Sequence, residues 1–197
     1  ALTALVWCVE LTQPPDAVAR VFHTYGVVPE RFRVGTLLSA TLLHASWLHL
    51  ILNLWGLWLF GEHVESRFGH WGFIVFYLSC GALATIGLAT VDASSALPII
   101  GGSGAVAGVM GSYVMLYPRS RILTFATTLV SWDLVELPAV GILCVWFLLQ
   151  FVGTGSLAPT AHTHDPAMAF ATYALMFGVG AASVATLGRR RLLATRW

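Results

Sequence analysis

Apolar positions in this chain gather into long blocks instead of alternating with polar ones, and short polar stretches holding most of the charge separate the blocks. A bilayer core takes about 20 helical residues to cross, so these blocks predict an all-α, polytopic membrane protein with six transmembrane helices. The pattern places the end of TM1 over residues 1–12, an interfacial loop over 13–46, TM2 over 47–61 and TM3 over 71–90. TM4 follows over 103–117, TM5 over 136–152, a loop over 153–165 and TM6 over 166–187, all within one membrane domain of residues 1–197. The first block is too short to span, so the first helix reads as incomplete at its N-terminus. Pro14-Pro15 breaks it, and a stretch with Asp16, Arg20, His23, Glu30, Arg31 and Arg33 among aromatics and valines reads as amphipathic and interfacial. Pro138 is expected in the first turn of TM5, where proline is tolerated, and Asp165-Pro166 reads as the cap and first residue of TM6.

Composition agrees with lipid as the solvent: 57% of residues are hydrophobic, 10% are charged and the mean hydropathy is +0.79. A net charge of +1 carries no nucleic-acid signature. Arg67, Arg119, Arg121, Arg189, Arg190, Arg191 and Arg196 fall on one side of the alternating spans, and Arg20, Arg31 and Arg33 on the other. The richer side, which includes the C-terminus, is expected to be cytoplasmic, as in a bacterial-type plasma membrane. Cys8, Cys80 and Cys144 lie inside apolar runs and read as small core residues, with no disulfide or metal framework.

Within this apolar background a few polar groups carry candidate chemistry. Residues 98–108 read Pro-Ile-Ile-Gly-Gly-Ser-Gly-Ala-Val-Ala-Gly, which places Ser103 where a polar turn becomes an apolar helix. Free N–H groups and the positive helix end at that point favour developing negative charge. Four residues apart on one helix face, His49 and Asn53 can both point hydrogen bonds at one place. At 1.5 Å per residue, Ser103 lies roughly 24 Å above Arg119 and His49 roughly 20 Å above Glu62, so the two meet at one depth. His44, off that face, reads as a pin between the loop and the start of TM2.

The segment His44-Ala45-Ser46-Trp47-Leu48-His49-Leu50-Ile51-Leu52-Asn53 resembles the H-x4-H-x3-N motif of the rhomboid family of intramembrane serine proteases, and Gly101-Gly102-Ser103-Gly104 resembles its G-x-S-G motif. Tyr25-Gly26-Val27-Val28-Pro29, Val64-Glu65-Ser66-Arg67-Phe68-Gly69, Leu116-Tyr117-Pro118-Arg119 and Glu136-Leu137-Pro138-Ala139 add similarity over nearly the whole chain. The resemblance implies a six-helix rhomboid-like bundle with a water-filled cavity open to the non-cytoplasmic side. It implies Ser103, flanked by Gly102 and Gly104, as nucleophile, the Ser103 N–H with His49 and Asn53 as the oxyanion hole, and His44 as support.

The family places its general base on TM6 in an A-H-x2-G-x3-G/A pattern. Residues 174–182, Ala-Leu-Met-Phe-Gly-Val-Gly-Ala-Ala, fit that pattern with Leu175 at the histidine position, about 21 Å above Arg189. The remaining candidates for a base are His164 and His162, in the loop before TM6. A metal site built from His162, His164, His44 and His49 lacks a carboxylate or thiolate at useful spacing. The implied activity is cleavage of transmembrane segments of other membrane proteins, with the lipid bilayer as medium and no cofactor. The alternative is a catalytically inactive rhomboid pseudoprotease that binds membrane-protein clients, since a serine without a base is a poor nucleophile.

Overall fold

The computed structural model of the chain describes residues 2–127, 132–155 and 166–194. Its helices, in chain order, are α1 (Leu2–Leu11), α2 (Pro15–Tyr25), α3 (Thr36–Ala40), α4 (Trp47–Phe68), α5 (His70–Val91), α6 (Ser103–Leu116), α7 (Ala139–Gly155) and α8 (Pro166–Ala194). Between α6 and α7 the chain forms an antiparallel hairpin, β1 (Arg121–Thr127) with β2 (Trp132–Pro138), paired from Arg121 with Pro138 to Thr127 with Trp132. Among the described residues, α5 and the 167–186 part of α8 are long and apolar enough to cross a membrane. Three shorter apolar helices, Leu2–Leu11, Ser103–Leu116 and Ala139–Gln150, accompany them.

α6 is the axis of the bundle. Every residue from Ser103 to Tyr113 is buried, and α4, α5, α7 and α8 pack around it. Small side chains make this possible, because glycines let backbones approach where larger residues would hold them apart. The closest approach is between α6 and α8: a Cβ on Gly180 would run into the carbonyl of Gly108, and one on Gly111 into the carbonyl of Phe177. Across the same seam the Ser112 hydroxyl donates to the Gly180 carbonyl at 2.9 Å. The core beside it joins Phe60, Val106, Met110, Trp146, Tyr173 and Met176 from four helices.

Three sequence expectations change. Residues 136–138 belong to β2, so α7 starts at Ala139 and Pro138 ends a strand. A residue before proline is disfavoured in the helical region, and pairing with β1 satisfies the backbone of Glu136 and Leu137 instead. The charged stretch after position 61 continues α4 to Phe68, where Gly69 with φ of 75° stops it. Of the cysteines only Cys80 is in the core; Cys8 and Cys144 are exposed on the outer surface, and all three are free thiols.

Candidate active site

The site begins with a backbone tie. Val27 and Ile99 exchange hydrogen bonds at 3.0 and 2.8 Å, and the Gly101 N–H donates to the Ala40 carbonyl at 2.8 Å, which fastens the segment before Ser103 to the first loop. Gly101 has φ of 109°, a left-handed conformation suited to glycine, and the ring of His49 lies where its Cβ would be. Gly102 is equally closed in, since a Cβ there would meet the Tyr77 hydroxyl and the Thr41 carbonyl, and Gly104 rests on Ala84. Ser103 is then the first residue of α6, 2% exposed.

α4 brings its side chains to the same point. Ser46 caps the helix by accepting from the His49 N–H at 3.2 Å. One turn apart, His49 and Asn53 face α6. The Nε2 of His49 lies 2.8 Å from Ser103 Oγ, and the Ser103 hydroxyl donates to Asn53 Oδ1 at 3.0 Å. His44 packs against His49 with ring centroids 4.8 Å apart. Burial holds its imidazole down to about 4, so it is neutral at physiological pH.

That neutrality fixes the direction of Asn53. His44 Nδ1–H donates to the Leu42 carbonyl at 3.2 Å, which leaves Nε2 bare, and the Asn53 Nδ2–H donates to it at 2.9 Å. The amide nitrogen of Asn53 is thus turned to His44. Toward Ser103 it shows its carbonyl oxygen, an acceptor.

Two further residues, missed in the sequence, complete the surroundings. Gln150 of α7 is 2% exposed and donates from Nε2 to Ser103 Oγ at 3.0 Å and to Asn53 Oδ1 at 3.3 Å. One turn earlier on α7, Trp146 Nε1–H donates to the Leu52 carbonyl at 2.9 Å and seats this helix against α4. An uncharged amide in the apolar run from 139 to 152 is the sequence signal for Gln150. From α8 comes Tyr173, 8% exposed, whose phenol lies near Ser103.

Leu175 is not beside the serine. It is 61% exposed on the outside of α8, and a Cβ on Gly178 would meet nothing within 4 Å, so the stripe from Leu175 through Gly178 faces outward. The inward stripe is Tyr173, Met176 and Gly180. These have the same +3 and +7 spacing two residues earlier, which is about 200° around a helix but only about 3 Å along it. His162 and His164 lie outside the described residues.

Residues 31–190 match the family model of the rhomboid domain. The chain belongs to the rhomboid family. Rhomboid-like protein 11, chloroplastic, of Arabidopsis thaliana is 37% identical over 78 residues, covering 40% of this chain and 28% of the relative. Rhomboid protease GluP of Bacillus subtilis is 33% identical over 104 residues, 51% of this chain and 20% of the relative. Rhomboid protein 1, mitochondrial, of Saccharomyces cerevisiae is 28% identical over 94 residues, 46% and 27% respectively. The matched segments span less than a third of each of these relatives. No solved structure matches the chain. With its apolar helices and rhomboid domain, this rhomboid is an integral membrane protein.

Proposed function

We propose that this rhomboid is an intramembrane serine endopeptidase that cuts transmembrane segments of membrane proteins, with Ser103 as nucleophile and His49 as the acceptor of its proton. The observation that carries the reading is the 2.8 Å separation of His49 Nε2 and Ser103 Oγ, within the range for general-base catalysis. In this reading the α6 N-terminus polarises the substrate carbonyl, and the six-helix bundle holds the site in a cavity open to the non-cytoplasmic side. The C-terminus is then cytoplasmic. A relative named as a rhomboid protease supports the assignment.

The test is labelling of purified protein in detergent with a fluorophosphonate probe. Label on the wild type and none on Ser103→Ala is the expected result, and a wild type that never labels overturns the reading. A second reading is favoured by Tyr173: a buried phenol stands beside Ser103, and a phenol with its ordinary value near 10 is a poor base at neutral pH. On that reading the bundle retains membrane-protein clients uncleaved. Co-expression with a single-span client separates the two, since a product that disappears in Ser103→Ala excludes pure binding.

A further inference from the structure

Resting on the hydrolase reading, we infer that Gln150 of α7 supplies a side-chain N–H that stabilises the oxyanion in this rhomboid. The directions of two amides carry this inference. The Asn53 NH2 is turned to His44 Nε2, an atom that can only accept while Nδ1–H serves the Leu42 carbonyl, and the Asn53 carbonyl oxygen faces Ser103. Turning Asn53 over would set its carbonyl against the bare nitrogen of His44, two acceptors with no proton between them, in a buried place where an unmet polar group costs about 1–3 kcal/mol. Gln150 carries two N–H bonds, and both point into the site, at Ser103 Oγ and at Asn53 Oδ1.

This geometry gives Gln150 two roles. Its bond to Asn53 Oδ1 competes with the serine hydroxyl for that acceptor and releases the Ser103 proton toward His49 Nε2. When Oγ bonds to the substrate carbonyl carbon, the negative oxygen develops one bond angle from Oγ, and the amide already held 3.0 Å from Oγ lies within reach of it. The Ser103 backbone N–H is the partner donor at the helix end.

The rate of labelling by a fluorophosphonate tests this. In that reaction Ser103 Oγ forms a bond to phosphorus, the phosphorus–fluorine bond breaks, fluoride leaves, and the serine proton passes to His49. Removing one such donor is expected to slow labelling about 100-fold in Gln150→Leu. Gln150→Glu has the same shape and donates only when protonated, so its labelling should fall as pH rises through ionisation of the new carboxyl. The titratable groups facing that carboxyl are His49 of α4 and Tyr173 of α8, with His44 behind Asn53. Their contribution is read from the wild-type pH profile and subtracted. A purely structural role for Gln150 produces no such fall, and the glutamate series decides the matter if Gln150→Leu fails to fold. Equal labelling of wild type and both variants overturns the inference and leaves the hydrolase reading standing. A wild type that never labels removes both.

Discussion

The buried phenol of Tyr173 on α8 lies near the hydroxyl of Ser103 on α6, which has His49 Nε2 of α4 at 2.8 Å. α8 is held in this rotation by backbone packing: Gly180, seven residues on, lies against Gly108, and Met176 lies over Gly104 and Gly108. An imidazole placed at 173 would therefore face Ser103.

In the His49→Ala background, Tyr173→His is expected to raise the rate of cleavage of a single-span reporter by about 100-fold or more, the usual contribution of a positioned general base. Leu175→His should leave the rate unchanged, because that side chain leaves the bundle. Activation by Leu175→His and not by Tyr173→His would show that α8 has the other rotation.

His49→Ala should lower fluorophosphonate labelling by at least about 1,000-fold, since members of a nucleophile–base unit act together. His49→Phe keeps a ring against Gly101 and should show the same loss. Unchanged labelling in both would mean that another group takes the serine proton.

Gly180→Ala should weaken the α6–α8 seam by about 1–3 kcal/mol or more, because the new methyl meets the Gly108 backbone, which cannot move aside as a side chain can. Gly178→Ala, two residues away, has open space at its Cβ and should be neutral or stabilising by up to about 1 kcal/mol through helix propensity. Thermal unfolding in detergent, followed by tryptophan fluorescence, measures both. Equal effects would refute the close contact.

The pH dependence of stability should carry the signature of His44. Its folded value is depressed to about 4 from 6.5, so the unfolded chain binds the proton first. The contribution to stability is therefore present above about pH 6.5 and lost as pH falls from there to about 4. The groups facing His44 are His49, with its ring 4.8 Å away, and the buried Glu10 of α1 near the His44 N–H. In His44→Gln the loss in that window should disappear. The same loss in His44→Gln as in the wild type between pH 7 and pH 4.5 would contradict a neutral, buried His44.

Much of the site was legible in the residues because its signals are short-range. Ser46 caps α4, His49 and Asn53 follow at helical spacing, and Gly101-Gly102 turns the chain directly before Ser103. Each of these relations is set within a few residues. Depth along a helix was legible too, since the rise per residue is constant, and it put Ser103 and His49 at one level. Depth could not separate Tyr173 from Leu175, which differ by about 3 Å in height and by more than half a turn in direction. Gly178 attracted the family pattern two residues too far along, and only packing against Gly108 shows that the inward glycine is Gly180.

The amino-acid sequence by itself determined the order of the apolar helices, the position of the serine at a helix start, and the pair of polar residues on the neighbouring helix. These follow from periodicity, glycine placement and the cost of polar groups in lipid. The tertiary structure decided which way α8 faces and which protons point at Ser103. Helix rotation is set by contacts between backbones far apart in the chain. The facing of the Asn53 amide depends on a histidine nine residues away, and the Gln150 donor lies 47 residues beyond the serine.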